Sequence, residues 1–398
     1  MPDVPNTLER ARAHFTDAQV EALYALRREL HAHPELSWQE HQTAARLEEM
    51  LRSIGARDIR RVAGTGVTAV VPGTDPGAPR VAVRGDIDAL PIHEATGLPY
   101  ASTCDGVMHA CGHDVHASWT IAAAMSLLAR PARSDVLVVL QPAEELGTGA
   151  TAMLEAGALD GVAAIFGGHV DRRFAVGEVI AESGPLAASA DMFTLVVRGR
   201  GAHGARPHES ADPIVAAAAI VTALQTIVAR RLDPADPAVV TVGSIHGGVA
   251  SNVIPESVTM TGTLRAMNPS TRQRLLDDVA RIATQVGEAH GVQVEAQMER
   301  GTPPIVNPVR EAGWARAAAE RALGAGAVVP FGITNMGGED FAFYMERLPG
   351  SFLRIGAREP GGERIAAHNP RFYAHETSIV VGGAVLAECA RVAADALA

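Results

Sequence analysis

The chain lacks lysine altogether, and all 34 of its basic residues are arginines. This absence excludes three kinds of site that depend on lysine: a P-loop, a Schiff base and a Ser–Lys dyad. Cysteine is scarce, occurring only as Cys104, Cys111 and Cys389, which predicts free thiols in a reducing cytoplasm and no disulfide framework. Because the formal net charge is −11, we expect neither nucleic acid nor an anionic membrane surface as a partner.

Long hydrophobic runs are also missing. The N-terminal residues lack the apolar stretch and the cleavage site of a signal peptide. The most apolar segment, residues 214–229, is interrupted by polar residues and is expected to be too short to span a bilayer. Hydrophobic residues still make up 47% of the 398-residue chain, which is typical of a globular protein with a sizeable core. This length predicts more than one domain, or one domain with a large insertion.

Strand and helix patterns alternate in the first part of the chain. Strands are predicted at residues 67–71, 81–83 and 136–140, and helices at residues 16–35, 44–54, 117–129 and 151–156. The continuous apolar run of the third strand is typical of a strand that is covered on both faces. The alternation predicts an α/β domain with a central mixed sheet flanked by helices.

A different pattern follows Pro185. Strands are predicted at residues 193–197, 238–242, 258–264 and 292–296, and helices at residues 213–229 and 269–289. Their order, β-α-β-β-α-β, is that of a ferredoxin-like arrangement. We therefore predict that residues 186–298 form an inserted α+β domain, and that residues 1–185 and 299–398 together form the α/β domain.

The segment HACGHD, at residues 109–114, has the strongest chemical signal in the chain. It places the thiol of Cys111 two residues from the imidazole of His113. Thiolate and neutral imidazole are the preferred ligands of zinc. Gly112 between them allows the backbone to bend, so that both side chains can reach one point. Alone, this spacing would be weak evidence for a metal site.

Further candidate ligands follow apolar runs downstream. Glu144 and Glu145 follow a predicted strand across a proline, His169 follows the next apolar run, and His368 lies in an Ala-His-Asn-Pro segment. Because sites in open α/β sheets form at the carboxyl ends of strands, Glu144, Glu145 and His169 are expected at such ends and to converge. In hydrolytic metal sites one carboxylate binds the ion while another acts as general base. Since the proline should take the chain off the strand, both glutamates can face the site.

Each candidate also has an ordinary structural interpretation. A lone histidine at a strand end is more often a hydrogen-bonded structural residue, and a buried cysteine is usually an inert small hydrophobe. Paired glutamates before a helix can simply be favourable charges at its N-terminus. The joint occurrence of all the candidates favours the metal site. Asp86 and Asp88, after the strand at 81–83, are candidates for metal ligation or for holding a ligand imidazole.

Two other segments are assigned no site. Residues 31–35 contain two histidines and a glutamate, but contacts at a helix end explain them about as well. Residues 199–204 match the G-x-G-x-x-G pattern of dinucleotide-binding proteins. Pro207 argues against the helix that such a site requires, so we predict no dinucleotide there.

Nine motifs along nearly the whole chain carry a family resemblance. They are HAHPELSWQEHQTA, RGDIDALPI, MHACGHDVH, QPAEE, GRGAHGARPHESADPI, GGVASNVIP, TGTLRA, MGGEDFAFY and AAHNP. Together they resemble the amidohydrolase branch of the binuclear aminoacylase and carboxypeptidase metallopeptidase family. That branch includes hippurate hydrolases, indole-acetyl-amino-acid hydrolases and N-acetyl-diaminopimelate deacetylases.

The resemblance implies a site for two divalent metal ions, zinc in the first place, with manganese, cobalt or nickel as alternatives. Cys111 would bridge both ions as a thiolate. One ion would add His113 and His169, and the other would add Glu145 and His368.

The resemblance also assigns residues around the ions. Glu144 would be the general base. Related carboxypeptidases have a His-x-Asp motif where this chain has Asp86 and Asp88, a difference that favours the cysteine-bearing branch and leaves both carboxylates to support the ligands. Val115 replaces the glycine expected after CGHD, and its larger side chain would narrow the site locally.

The insert would be a lid or dimerisation domain, which predicts a homodimer or a higher homo-oligomer. His203 matches a lid histidine that polarises the scissile carbonyl, in dimeric relatives from the partner subunit. Asn252 and Arg265 match positions near the substrate carboxylate. Gly337 and Gly338 precede a predicted helix whose backbone N–H groups could receive an anion, although ordinary capping explains them nearly as well.

The sequence therefore predicts a cytoplasmic, metal-dependent amidohydrolase that cleaves N-acyl amino acids, which are small molecules. A dipeptidase or carboxypeptidase of the same family is the first alternative, because it uses the same chemistry on a substrate with a free amine. A non-catalytic, metal-stabilised binding protein is the second. Glu144 argues against the second, because a structural metal site does not require a spare base.

Overall fold

The computed structural model describes residues 4–398. The helices are α1 (Val4–Arg12), α2 (Asp17–Ala32), α3 (His41–Ser53), α4 (His113–Ala129), α5 (Gly149–Glu155), α6 (Pro213–Thr226), α7 (Pro269–Ala289), α8 (Val309–Leu323), α9 (Phe341–Met345) and α10 (Thr377–Leu397). The strands are β1 (Arg57–Val62), β2 (Gly66–Val71), β3 (Arg80–Asp86), β4 (Val136–Gln141), β5 (Val162–Ala175), β6 (Val179–Ile180), β7 (Gly184–Ala187), β8 (Ala190–Arg198), β9 (Ala202–His203), β10 (Ala238–Gly247), β11 (Val253–Ile254), β12 (Ser257–Ala266), β13 (Gln293–Thr302), β14 (Ile305–Asn307) and β15 (Gly350–Arg358).

The described chain divides into two compact units. The first comprises the residues up to Gly184 together with Asn307–Gly332 and Phe343–Ala398. Its seven-stranded sheet has the order β1-β2-β4-β3-β5-β15-β6. β3 runs parallel to β4 and β5, and β15 runs parallel to β5, while the outer pairs are antiparallel. Every residue of β2 and β4 is buried, as expected for strands that helices cover on both faces. The predicted mixed sheet flanked by helices is confirmed.

Two helices of this unit approach each other closely. α4 and α10 are both rich in apolar residues and buried along most of their length. A Cβ atom on Gly382 would lie 2.4 Å from the Trp119 ring, and one on Gly383 would lie 2.4 Å from Ala122. Glycine at these two positions therefore allows α10 to pack directly on α4, whose first residues belong to the candidate site.

The second unit comprises Pro185–Val306 and Ile333–Ala342. Its antiparallel sheet has the order β10-β12-β8-β13, and α6 and α7 contribute to the apolar core against it. Both helices have a proline in the first turn after a capping residue, Asp212 for α6 and Asn268 for α7. The chain order β8-α6-β10-β12-α7-β13 with this sheet order is ferredoxin-like, which confirms the predicted architecture.

The second unit is larger than the insert predicted at residues 186–298. β13 continues to Thr302, and residues 333–342 also pack here. The N–H of Ala188 donates to the carbonyl of Gly337 (3.1 Å), and a Cβ atom on Gly338 would lie 2.9 Å from Thr302 Oγ1. Long-range contacts of this kind leave no local signal in the sequence.

The expectation that residues 214–229 are too short to span a membrane is wrong on length. A π-helical turn extends α6, so the helical segment Pro213–Arg231 has 19 residues with a mean hydropathy of 1.6. Thr377–Leu397 has 21 residues and a mean hydropathy of 1.5, and 94% of its apolar window is buried. Both are long and apolar enough to cross a membrane. Buried core helices such as Thr377–Leu397 meet the same criteria, whereas only 33% of the Pro213–Arg231 window is buried.

Candidate metal centre and active site

Cys111 and His113 lie at the start of α4. Gly112 is the residue before the helix and has φ 89°, a left-handed conformation that favours glycine. A Cβ atom at this position would also lie 2.5 Å from Val170 Cγ2. Space and backbone conformation both require glycine here, and together they turn the thiol and the imidazole toward one point. Both side chains are buried.

The predicted ligands form two triads that share the thiol. In the first, the ligand atoms of Cys111, His113 and His169 lie within 4.8 Å of one another, and Cys111 Sγ is 3.1 Å from His169 Nε2. In the second, those of Cys111, Glu145 and His368 lie equally close, with His368 Nε2 3.4 Å from Glu145 Oε2. The structure thus brings together the five side chains that the resemblance implies.

The donor set fits divalent metal ions. His113 Nε2 and Glu145 Oε1 are buried without a hydrogen-bond partner in the described structure, and they lie 3.9 Å apart. Unsatisfied buried polar atoms are costly, and two of them facing one point indicate a missing partner. A cation between thiolate, imidazole and carboxylate would satisfy both.

Glu144 lies beside the triads. β4 ends at Gln141, and Ala143 then adopts φ 49°, so the chain leaves the strand direction before the two glutamates. Glu144 Oε2 is 3.8 Å from His113 Nε2, and the side chain is 10% exposed. Both glutamates therefore face the same cluster, although adjacent residues on a regular strand would point to opposite faces.

Asp88 holds a ligand of each triad. Nδ1 of His113 lies 3.1 Å from Asp88 Oδ1 and 3.0 Å from the Asp88 carbonyl, so it must carry the proton, and Nε2 is left free for a metal ion. The other Asp88 oxygen accepts hydrogen bonds from the Glu145 N–H (3.0 Å) and from the Ser37 hydroxyl (2.7 Å). These contacts favour a supporting role for the Asp88 carboxylate.

His169 lies within a strand, and the expectation that it marks a strand end is wrong. β5 continues to Ala175 because β15 pairs with it along this stretch, with Arg354 opposite His169. β3, the neighbour on the other side, pairs with β5 only as far as Gly167. His169 therefore lies beyond the part of β3 that pairs with β5, without being at the end of its own strand.

His116 is a site residue that sequence reasoning missed. Beyond the end of β3, the N–H of Val170 has no strand partner on that side and donates to His116 Nε2 (2.9 Å). Nδ1 of His116 consequently carries the proton and donates to Asp86 (2.6 Å), whose other oxygen accepts from Arg84 (2.6 Å). The His116 ring contacts His169 edge to face, at 4.6 Å between centroids. The available signal was its position three residues after His113 on one helix.

A second contact that sequence reasoning missed joins the first turn of α4 to α2. Asp114 is buried and accepts hydrogen bonds from Arg27 Nε (2.8 Å) and from His31 Nδ1 (2.8 Å), both on α2. Nε2 of His31 in turn contacts Glu94 (3.2 Å). His31, in the segment 31–35, therefore binds Asp114, the residue after His113. This contact is closer to the candidate site than the helix-end contact that was predicted for the segment.

Electrostatics in the cluster favour protons on Cys111 and His113. Burial raises the pKa of the Cys111 thiol well above its usual range, and the Glu145 carboxylate acts in the same direction. Burial would lower the pKa of His113, but the nearby Asp86 and Asp88 carboxylates outweigh it and raise that pKa. Burial lowers the pKa of His169. Because metal ligands must be deprotonated, binding at this centre should release protons.

The other predicted site residues lie in the second unit, in two groups. His203 pairs with Val253 across β9 and β11, and the N–H of Gly204 donates to the Asn252 carbonyl (2.7 Å). Nδ1 of His203 accepts from the N–H of Ala205 (3.1 Å), so the neutral ring presents Nε2–H as a donor.

Arg265 and Gly338 form the second group. A Cβ atom on Gly338 would lie 3.8 Å from Arg265 Nη1. The helix predicted to open at Gly337 begins later, as the five-residue α9 from Phe341. The two glycines precede this helix in irregular structure, and the Gly337 N–H donates to Asn335 Oδ1 (3.3 Å).

Comparison with known proteins agrees with these motifs. The sequence profile of peptidase family M20/M25/M40 matches residues 82–392. An N-acetyl-L-cysteine deacetylase from Bacillus subtilis is 39% identical over 371 residues, covering 93% of this chain and 87% of the relative. A dinuclear metal-binding peptidase of the M20 family from B. subtilis superposes with a TM-score of 0.85 at 36% identity, covering 96% of this chain and 99% of that one. A putative aminohydrolase from Staphylococcus aureus superposes with a TM-score of 0.90 at 32% identity, covering 99% of this chain and 100% of that one. The chain therefore belongs to peptidase family M20/M25/M40 and is a hydrolase of amide bonds, as its motifs predict.

Proposed function

We propose that this enzyme uses two divalent metal ions to hydrolyse the amide bond of N-acyl amino acids. The observation that carries the proposal is the pair of triads that share the Cys111 thiol, with the carboxylate of Glu144 beside them, 3.8 Å from His113 Nε2. The similarity to a deacetylase of an N-acylated amino acid supports the substrate class. Zinc is the metal we propose first, since thiolate and imidazole suit it, with manganese, cobalt or nickel as alternatives.

The ligands would be divided between the ions as the triads suggest. Cys111 would bridge, His113 and His169 would complete one site, and Glu145 and His368 would complete the other. When bound, the ions would lower the pKa of a water molecule and neutralise charge on the scissile carbonyl. Asp88 would keep His113 Nε2 and the Glu145 backbone in place through the hydrogen bonds described above.

Glu144 is the proton carrier in this proposal. It would accept the proton of the attacking water and deliver it to the leaving amine. The Nε2–H of His203 would donate to the oxygen of the scissile carbonyl, a contact worth about 3–4 kcal/mol when well placed. We propose Asn252, Arg265, Gly337 and Gly338 as the surroundings of the substrate carboxylate.

The second unit would also make the contact between two copies of the chain. It exposes apolar side chains on α6, with Ile214 44% and Val215 54% exposed. On the loop before β11, Val249 is fully exposed. β10 is an edge strand of its sheet. Exposed apolar groups beside an open strand edge are typical of an interface, so we propose that the enzyme forms a homodimer. We also propose that it is soluble and cytoplasmic.

A substrate and metal panel tests the proposal. Metal-free protein would be reloaded with zinc, manganese or cobalt and assayed on N-acetyl, N-benzoyl and long-chain N-acyl amino acids, with free dipeptides alongside. We expect metal-dependent hydrolysis of at least one N-acyl class in preference to dipeptides. Glu144→Gln should abolish turnover while two ions per chain remain bound. Preference for dipeptides would contradict the substrate class, and substantial activity of the Gln variant would contradict the base.

A further inference from the structure

The loop that carries His368 is long and irregular. It joins β15 to α10 through residues 359–376, which contain neither helix nor strand. Loops longer than about 15 residues without secondary structure are uncommon in compact domains. His368 itself has φ 66°, a left-handed conformation that a residue other than glycine keeps only where its surroundings hold it. Something must therefore order this loop.

A backbone hydrogen bond tethers His368 directly. Its N–H donates to the carbonyl of Ala110 (2.8 Å), which joins the loop to the residue before Cys111. Phe372, four residues later, is buried, and its ring lies 3.5 Å from where a Cβ atom on Gly112 would be. These contacts fix the tip of the loop but not its two arms.

Arg172 binds both arms. It lies on β5, three residues after His169, and is 2% exposed. On the arm before His368, its guanidinium donates to both carboxylate oxygens of Glu359 (2.9 and 3.3 Å) and to the Glu363 carbonyl (2.8 Å). On the arm after it, the guanidinium donates to the Tyr373 carbonyl (3.1 Å).

Further contacts rigidify this junction. The Arg172 guanidinium lies 4.1 Å from the centre of the Tyr373 ring, and the Tyr373 hydroxyl donates to Glu359. Burial would raise the pKa of Glu359, but the hydrogen bonds from Arg172 and Tyr373 prevail and lower it to about 2. Only the planar fork of arginine offers donors in these several directions, whereas lysine offers one ammonium centre.

We propose that Arg172 is a positioning residue for His368 and thereby sets the affinity of the ion that Glu145 and His368 hold. The inference rests on the proposed function. Strand β5 would then serve both ions: His169 is a ligand of one, and Arg172 orders the loop that supplies a ligand to the other.

Arg172→Lys tests this, with Arg391→Lys as the matched control. Arg391 is also a buried arginine, which donates to Glu388 (2.7 Å) and to the carbonyls of Ser126 and Arg130 (2.8 Å each), outside the loop and both triads. Titration of metal-free protein with Mn²⁺ against a chelator measures the two affinities. We expect Arg172→Lys to weaken one ion about 10–100-fold and the other less than about threefold, as for lost partners of metal ligands. Arg391→Lys should change neither by more than about threefold.

Two more readouts separate positioning from general damage. Amide hydrogen exchange at His368 and Phe372 in the metal-free protein should quicken about tenfold or more in Arg172→Lys and stay unchanged in Arg391→Lys. At saturating Mn²⁺ the kcat of Arg172→Lys should return to near the parent value. If Arg172→Lys does not fold, Tyr373→Phe, which removes only the hydroxyl bond to Glu359, should weaken the same single ion to a smaller extent.

The failures are distinguishable. Equal weakening of both ions, or no weakening in the folded variants, would overturn the positioning role of Arg172 while the proposed function stands. A parent protein that binds fewer than two ions, or that binds two and hydrolyses no amide, would instead overturn the proposed function.

Discussion

Replacing Asp88 by Asn tests how the supporting carboxylate holds the two triads. Asp88 is 1% exposed and accepts hydrogen bonds from His113 Nδ1–H, the Ser37 hydroxyl and the Glu145 N–H. Asn keeps one acceptor oxygen and turns the other into an NH₂ group, which would face a donor. One buried donor would lose a charged acceptor, at a cost of about 1.5–3 kcal/mol. If that cost falls on the metal-bound state, affinity should drop about 10–100-fold.

The assay is a chelator competition at fixed free metal, together with a thermal melt of the metal-free protein. Asp191→Asn is the matched control, because Asp191 is also buried and accepts from Arg272 (2.7 Å) and from the Gly301 N–H (3.1 Å) in the second unit. It should lower the melting temperature without changing metal affinity. If Asp88→Asn binds both ions as tightly as the parent, the hydrogen bonds of Asp88 do not organise the centre.

The remaining predictions concern backbone, protons and acid stability. Gly112→Ala should destabilise the protein by about 2–4 kcal/mol, since a left-handed backbone costs about 1–2 kcal/mol and the clash with Val170 adds to it. In urea unfolding, adding Val170→Ala should restore the part of the stability that the clash removes, and a loss below about 0.5 kcal/mol in Gly112→Ala would refute both causes. Metal affinity should fall as pH falls from about 8 to 6, because raised pKa values keep protons on Cys111 and His113 that the ion must displace. An affinity that does not change with pH in the chelator competition would contradict this. The pKa of Glu359 is lowered from 4.5 to about 2, so the stability that its carboxylate contributes should be complete above pH 4.5 and lost as pH falls toward 2. The difference in unfolding free energy between the parent and Glu359→Gln should shrink over that pH range, and a constant difference would contradict the lowered pKa.

How much of the site follows from sequence depends on how local each residue's placement is. Cys111 and His113 are two residues apart at a helix start, so their convergence was predictable from spacing and from the glycine between them. The position of Glu144 and Glu145 off the strand followed from Pro142. His368 depends on a long loop with a left-handed backbone; its residue type made it a candidate ligand, but only the family resemblance grouped it with Glu145.

What sequence reasoning missed depends on register between distant segments. The placement of His169 inside β5 required knowing that β15 pairs along it after the pairing with β3 has ended. His116 accepts the hydrogen bond from the Val170 N–H that a neighbouring strand would otherwise accept. The Val170 N–H lacks a strand partner only because of the same register. The second unit takes in residues 333–342 through contacts with strands far away in the chain. Periodicity reports which face a residue occupies, but not which strand lies beside it.

Metal content of Cys111→Ser tests the central claim most directly. After exchange against buffer with fixed free Zn²⁺, elemental analysis of the parent and of a Cys104→Ser control, which alters a cysteine outside the triads, should give two ions per chain. If the thiol bridges, Cys111→Ser should lose occupancy at both positions together. Loss of one ion, with the other retained at parent affinity, would contradict the shared thiol and leave two independent sites.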